Sequence, residues 1–307
     1  MIQTDAKSSA AYFAAVAAVL LWGSSFVATK IALNSFSAVA YVVFRFSAAS
    51  LIFGMILLRS RLPRIPLQSH LRLALMALFE PGLYFVFETT GLQRTTASSA
   101  SIIIASVPVV VAVAAALLLK EHLPLRGWLG ALLSIAGIIL LSVWDGATGL
   151  TEGSAVGNLL VFLAVLSASG YIILARHLSA SLSTLQITAF QVLYGTLYFS
   201  PGLVWLIISG QWPRPDAAAI GALVFLVIGA TLGAFLCYNY SLSRLGAARS
   251  AVFLNGIPVV TVVVAAVLLG ERISYHHGLA AILVILGVSI ANQPQKRAAQ
   301  AVSPGVG

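Results

Sequence analysis

Long apolar runs and short polar breaks alternate along the chain, and their spacing predicts ten membrane-spanning helices. Most runs reach the roughly 20 residues that an α-helix needs to cross about 30 Å of hydrocarbon. The first run follows Lys7 but is too long for the apolar core of a signal peptide. We therefore expect spans near 10–32, 37–58, 70–91, 97–119, 124–144, 155–178, 184–208, 217–243, 248–269 and 274–292.

One segment of the sequence is repeated. Residues 105–121 (ASVPVVVAVAAALLLKE) and 255–271 (NGIPVVTVVVAAVLLGE) align without a gap and are identical at nine of 17 positions. The repeat divides the chain into two units, 10–144 and 155–292, with five predicted spans each. Because five is odd, the second unit must lie upside down relative to the first. We therefore predict an all-α membrane protein with ten transmembrane helices in two inverted five-helix repeats, a frequent scaffold for alternating access.

Composition and charge agree with this prediction. Apolar residues make up 60% of the chain and charged residues 8%, and the mean hydropathy is +1.02, whereas soluble domains carry about 25% charged residues. The net charge of +9 lies between the apolar runs, so it indicates orientation in the lipid bilayer rather than binding to nucleic acid. Twelve of the 17 Lys and Arg residues fall on the face that holds both termini. This bias predicts a multi-pass protein of the cell (inner) membrane with both termini in the cytoplasm.

The motifs of several catalytic classes are missing from the sequence. There is no P-loop, no G-x-G-x-x-G and no H-E-x-x-H, and the five histidines and the single cysteine, Cys237, show no metal-ligand spacing. We therefore expect no cofactor and no metal, and a transporter rather than an enzyme. The alternative from another class, an intramembrane enzyme, requires a clustered nucleophile and base, and the sequence shows none.

Several segments carry a family likeness. Residues Gly91–Leu141 and Tyr238–Val288 resemble the first and second repeats of the EamA type of the drug/metabolite transporter superfamily. The segments WGSSFVATK (Trp22–Lys30) and FRFSAAS (Phe44–Ser50) are similar to its opening spans. Within that superfamily the chain looks nearest to the YddG-type amino-acid exporters. The resemblance implies that spans 1, 3, 4, 6, 8 and 9 surround a central cavity and that spans 5 and 10 buttress it.

The third span holds two acidic residues, Glu80 and Glu88, which share one helical face with Tyr84. A carboxylate in hydrocarbon is costly, so such residues normally face a cavity or a partner. A structural alternative is an ion pair between Glu80 and Arg45 of the second span, which lie at similar depths. At an offset of 150 the stripe becomes Ala230, Ala234 and Tyr238, so the duplicated scaffold differs at these polar positions.

Further candidates come from the other spans that the resemblance places at the cavity. We expect the substrate-binding set to comprise Trp22, Ser25, Glu80, Tyr84, Glu88, Ser98, Ser101, Tyr171, Tyr238 and Asn255. Proline frees a backbone carbonyl and softens a helix, so Pro81, Pro108 and Pro258 are candidate hinges. Glu121 and Glu271 end matching spans, and we interpret them as residues that fix the turn into the next span.

These residues favour a secondary transporter that exports an amino acid or a related small metabolite. A zwitterion needs an acceptor for its ammonium, which Glu80 or Glu88 supplies, donors for its carboxylate from Tyr84 and Ser98, and an aromatic wall such as Trp22. The alternative substrate, a nucleotide sugar or another phosphorylated metabolite, requires several basic residues in the cavity. An intramembrane carboxylate can also carry a proton, so proton coupling stays open.

Overall fold

The computed structural model describes residues 2–60, 62–63, 65–118, 124–148 and 154–291, and every regular element in these ranges is a helix. The helices form ten stretches that correspond one to one with the predicted spans. They are α1 (Ile2–Leu33), α2 (Ala38–Arg59), α3 (Leu67–Leu92), α4 (Ala97–Ile104 and Val107–Leu118), α5 (Leu125–Thr148), α6 (Ser154–Leu178), α7 (Thr184–Ser209), α8 (Ala217–Leu245), α9 (Ala247–Phe253 and Ile257–Leu268) and α10 (Tyr275–Ala291).

The lengths and surfaces of these helices suit a membrane. Nine stretches in the described part of the chain are long and apolar enough to cross a bilayer, and α10, with 17 residues, is shorter. Large apolar side chains point outward, among them Phe13 (81% exposed) and Leu58 (89% exposed). Such a surface is stable against lipid but not against water. The prediction of an all-helical, multi-pass membrane protein is therefore confirmed.

Polar side chains at the polar breaks explain where several helices begin and end. The Ser37 side chain accepts a hydrogen bond from the first turn of α2, and Asp216 does the same for α8. Ser183 and Gln186 form a reciprocal capping box at the start of α7. That helix ends at Gly210, whose φ of 64° lies in the left-handed region that glycine tolerates.

Four of the helices are interrupted, at matching places in the two units. In α3 a π-helical segment spans Leu78–Leu83, and in α8 one spans Leu226–Ala234. In α4 the two segments are separated by residues 105–106, and in α9 by a 3-10 turn at Leu254–Gly256. The π segment of α3 contains Pro81, one of the candidate hinges. The π segment of α8 contains no proline, and no sequence signal indicated it.

Side chains from the second unit bond to the backbone at the break in α3. Glu80 has a non-helical backbone (φ −145°, ψ 115°), so carbonyl groups around it leave the regular helical pattern. Gln191 Nε2 of α7 donates to the Glu80 carbonyl oxygen at 3.1 Å, and Ser167 Oγ of α6 donates to the Phe79 carbonyl oxygen at 2.7 Å. These bonds satisfy acceptors that are costly to leave unpaired in a buried position.

Side chains of the first unit bond to the break in α8, one to its backbone and one to a side chain. Trp22 Nε1 of α1 donates to the Ala230 carbonyl oxygen at 3.2 Å. Arg45 Nε of α2 donates to Thr231 Oγ1 at 2.7 Å. The breaks in α3 and α8 are therefore each held by side chains from the first two helices of the other unit. This reciprocal pattern links the units at the depth of the cavity described below.

The pair α5 and α10 lies away from these breaks and packs through glycines. A Cβ atom at Gly130 would lie 2.7 Å from the Ala291 nitrogen, and one at Gly287 would lie 2.7 Å from the Ser134 nitrogen. Such distances are too short for any side chain, so both positions require glycine if the helices are to remain this close. The close approach fixes α5 and α10 as one rigid pair.

Candidate functional site

A central cavity with about 550 Å³ of empty space, including the part open to solvent, lies among the helices. Its wall is formed by α1, α3, α4, α6, α8 and α9, the helices implied by the family resemblance, and by one residue of α2. No described residue of α5 or α10 reaches it. The lining residues are Trp22, Ser25, Phe26, Arg45, Glu80, Tyr84, Phe85, Glu88, Ile104, Val107, Ala168, Tyr171, Ile172, Tyr238, Leu254 and Ile257.

Both carboxylates of α3 lie in this wall, together with the tyrosine between them. Glu80 is 6% exposed and Glu88 is 3% exposed. Thr89 Oγ1 donates to Glu88 Oε2 at 3.4 Å. Within the described ranges, the Glu80 carboxylate has neither a hydrogen-bond donor nor an ion-pair partner. A buried acid that faces a cavity without a protein partner is available to a ligand.

The expected ion pair between Arg45 and Glu80 is not formed, which corrects that interpretation. Arg45 is 1% exposed and lines the same cavity, but its Nε bonds Thr231 and its Nη1 bonds the Tyr41 hydroxyl. No described carboxylate lies within ion-pair distance of the guanidinium. Arg45 and Glu80 were expected to pair because they lie at similar depths on neighbouring helices. The Arg45 side chain instead turns to the break in α8, where it bonds Thr231.

Aromatic rings cover another part of the wall. The rings of Trp22 and Tyr238 have centroids 5.0 Å apart, and Trp22 meets Phe235 edge-on at 5.4 Å. The Tyr171 hydroxyl donates to Asn239 Oδ1 at 2.7 Å, so its orientation is fixed. The buried Tyr238 hydroxyl has no hydrogen-bond partner among the described residues, so it is unbonded at the cavity.

Three candidates from the sequence are not brought to the cavity. Ser98 Oγ donates to Glu271 Oε2 at 2.7 Å, and Ser101 Oγ donates to the Ser98 carbonyl oxygen at 2.8 Å. Asn255 lies in the 3-10 turn of α9, and its buried Oδ1 has no hydrogen-bond partner among the described residues. Its neighbours Leu254 and Ile257 line the cavity, but Asn255 itself does not.

Glu271 has a structural role that differs from the expected one. Its carboxylate accepts hydrogen bonds from the backbone nitrogens of Ala97 (2.9 Å) and Ser98 (3.1 Å), so it caps the start of α4 rather than the turn that follows α9. Nearby, Lys30 Nζ donates to the Thr95 carbonyl oxygen at 2.5 Å. Glu121, the repeat partner of Glu271, lies outside the described residues.

The three candidate hinges sit at interruptions. Pro81 lies inside the π segment of α3. Pro108 and Pro258 are each the second residue of a helical segment, directly after the breaks in α4 and α9. Proline is well tolerated at that position because its missing N–H would have no helical partner there. Matching breaks flanking a cavity are positions where a helix can bend at low cost.

Sequence reasoning missed about half of the wall. Phe26, Phe85, Ala168 and five further aliphatic residues carried no signal, since an apolar residue in an apolar span is equally suited to face lipid, protein or a cavity. Arg45 could have been found, because an arginine inside a span is by itself a candidate site residue. The described residues contain no group of three or more His, Cys, Asp or Glu side chains suited to a metal ion.

Comparison with known proteins identifies the family. The model of the EamA-like transporter family matches the chain twice, over residues 9–143 and 155–293. The chain belongs to the EamA-like transporter family. The two matched segments coincide closely with the two units read from the internal repeat.

Related proteins cover nearly the whole chain. An uncharacterized transporter of Bacillus subtilis, YcxC, is 27% identical over 93% of this chain and 94% of its own length. A probable terminal-alkyne amino-acid exporter of Streptantibioticus cattleyicolor is 27% identical over 86% of this chain and 87% of its own. A solved crystal structure shares the fold, with a TM-score of 0.64 and 20% identity over 92% of this chain and 96% of that chain.

Proposed function

We propose that this protein is a secondary carrier of the cell membrane that exports amino acids or closely related small metabolites by alternating access. In this proposal all ten helical stretches cross the membrane, the two five-helix units are inverted, and both termini lie in the cytoplasm. The observation that carries the proposal is the cavity wall, in which two buried carboxylates, Glu80 and Glu88, stand beside aromatic and aliphatic side chains.

The wall suits a small molecule with a cationic group and an apolar body. A carboxylate accepts hydrogen bonds from an ammonium group, and the rings of Trp22 and Tyr84 offer π-faces that attract a cation. The proposed substrate class also agrees with one relative, which is named as a probable amino-acid exporter. Among known subfamilies, the YddG-type exporters remain the nearest in our proposal.

The charge of the cavity disfavours the alternative substrate, a nucleotide sugar or another phosphorylated metabolite. Several phosphate charges require several basic groups, and Arg45 is the single basic residue among the described residues that line the cavity. Lys30 is bonded to the Thr95 carbonyl oxygen and does not contribute. An intramembrane enzyme is also disfavoured, because no nucleophile and base lie within hydrogen-bond distance in the described wall.

The interruptions supply a mechanism for the proposed alternating access. Helices that are already broken at the depth of the cavity can change angle without breaking further backbone hydrogen bonds. Pro81 lies in the break of α3, and Pro108 and Pro258 stand at the breaks of α4 and α9. We propose that opening to either side bends the helices at these points.

The test is transport in proteoliposomes with radiolabelled amino acids and a matched pair of variants. Tyr84→Ala removes a cavity side chain, and an aromatic contact contributes about 0.5–1.5 kcal/mol beyond its area, so affinity should fall on the order of tenfold. Ala234→Gly, at the repeat-matched position, should leave affinity unchanged because Ala234 does not line the cavity. A Tyr84→Ala protein that melts early but binds with normal affinity would remove α3 from the site.

Proton coupling forms the second part of the proposal. Glu88 is the acid to test, because a carboxylate in the cavity can take up a proton in one open state and release it in the other. Glu88→Gln keeps the shape of the side chain but cannot ionise, so export should stop responding to an imposed pH gradient. If export by Glu88→Gln still responds to the pH gradient, then Glu88 does not carry the coupling, and either another group carries it or the protein is a facilitator.

A further inference from the structure

The guanidinium of Arg45 is a buried charge that has no carboxylate within ion-pair distance in the described part of the chain, although Glu80 and Glu88 line the same cavity. A cation at this depth normally pairs with an anion, because burying a charge alone is strongly unfavourable. Arg45 bonds two neutral hydroxyls instead, those of Thr231 and Tyr41. Its charge is therefore uncompensated by any direct ion pair, although it faces the cavity.

The side chain is also held in one orientation. Thr231 accepts from Nε at 2.7 Å on one edge, and Tyr41 accepts from Nη1 on another. Tyr41 is in turn bonded to Thr29 Oγ1 at 2.9 Å. The guanidinium carbon lies 4.5 Å from the centroid of the Phe85 ring, which supports one face. These contacts leave Nη2 without a protein partner within the described part of the chain.

From this geometry we infer that Arg45 binds the carboxylate of the substrate, an inference that rests on the proposed function. A planar guanidinium with free N–H groups matches a carboxylate in shape and charge. Glu80 and Glu88 line the same cavity and can receive an ammonium group. A molecule that carries both groups satisfies both ends of the site, which defines the substrate as zwitterionic rather than simply cationic.

This assignment predicts discrimination against amines. A decarboxylated analogue keeps the ammonium and the apolar body but leaves the Arg45 charge buried and unpaired. Sites that are built to bond a polar group reject analogues that lack it strongly, by factors of about 10⁴ in favourable cases. For a cavity partly open to water we expect a smaller preference, on the order of 100-fold, for the amino acid over its amine.

The experiment measures competition binding in detergent with L-leucine against 3-methylbutylamine and L-phenylalanine against 2-phenylethylamine. The wild-type protein should prefer the amino acid of each pair, and Arg45→Gln should remove the preference by weakening amino-acid binding while amine binding holds or improves. Arg45→Lys should recover part of it, because it keeps the charge but not the planar fork. A wild-type protein that prefers amines would overturn the inference.

A second variant covers the case in which Arg45 variants do not fold. Thr231→Val removes the bond to Nε, keeps the charge in the cavity and leaves the lining intact, so the amino-acid preference should fall severalfold. The matched control is Thr261→Val, which removes a buried interhelical bond to the Gly23 carbonyl oxygen (2.8 Å). Neither Thr261 nor Gly23 is bonded to Arg45 or to its partners. The control should keep the wild-type preference.

The outcomes separate the inference from the proposed function. Amino-acid binding with a preference that survives in both the Arg45 variants and Thr231→Val would overturn the role of Arg45 and leave amino-acid export standing. A protein that binds neither amino acid, nor any other of the twenty in the same assay, would refute the proposed function and the inference together.

Discussion

Gln191 is the residue whose replacement most directly tests how the break in α3 is held. Its Nε2 donates to the Glu80 carbonyl oxygen at 3.1 Å, and its Oε1 accepts from Asn239 Nδ2 at 3.3 Å. Gln191→Leu keeps the approximate volume but removes both bonds. The Glu80 carbonyl then has no described donor, whereas Asn239 keeps its bonds to Tyr171 and Thr188.

The cost follows from these bonds. A buried acceptor left unpaired costs about 1–3 kcal/mol, and a lost hydrogen bond costs about 0.5–1.5 kcal/mol. Interhelical bonds in membranes average about 0.6 kcal/mol, which lowers the estimate. We therefore expect Gln191→Leu to destabilise the protein by about 1–4 kcal/mol. Because Glu80 moves with its backbone, we also expect substrate affinity to fall by about threefold to tenfold, or about 0.7–1.4 kcal/mol.

The assay pairs thermal unfolding with substrate binding on the same purified protein. Thr188→Val is the matched control, since Thr188 Oγ1 accepts from Asn239 at 2.9 Å in the same network but does not bond to α3. It should lower stability by about 0.5–1.5 kcal/mol and leave affinity unchanged. Equal affinities in Gln191→Leu and Thr188→Val would refute the claim that Gln191 positions Glu80.

Two further predictions concern the scaffold and its orientation. Gly130→Ala and Gly287→Ala should each lower the free energy of unfolding by about 1–3 kcal/mol, because the added methyl group overpacks α5 against α10. Gly221→Ala is the control, since its Cβ would meet no atom within 4 Å and stability should not change. Equal melting temperatures for the three variants would contradict the close packing of α5 and α10. In a cysteine-free background, Gln211→Cys should react with an impermeant thiol reagent from outside and Ala180→Cys only after the membrane is opened; the opposite pattern would reverse the proposed topology.

The helices could be predicted because their signal is local. A helix in lipid must satisfy its backbone internally and present apolar side chains, so length and composition are sufficient to find it. The kink in α3 was also predictable, since Pro81 removes a donor at a fixed place. The π segment of α8 was not, because it contains no proline and depends on Trp22 and Arg45, which come from helices far away in sequence.

The site was predictable to the extent that polar groups are expensive in a membrane. Glu80, Tyr84 and Glu88 stood out for that reason, and the structure places all three in one wall. Ser98 and Ser101 were expected at the cavity but do not line it, because a serine bonds equally well to a residue at a helix end or to its own backbone. The partner of Ser98 depends on the position of Glu271 in the folded protein, which the repeat alone does not specify.

The two units contribute differently to the cavity. Among the described residues that line it, the charged ones, Arg45, Glu80 and Glu88, belong to the first unit, and the second unit supplies Tyr171, Tyr238 and aliphatic residues. The break in α3 is nevertheless held by Gln191 of the second unit, and the break in α8 by Arg45 of the first. The two units therefore share the interrupted helices but differ in the charged residues. In the proposed mechanism both charged groups of the substrate would stay bound to the first unit throughout the cycle, while the apolar wall of the second unit moves past the substrate. Neither charged group would then need to exchange partners inside the membrane.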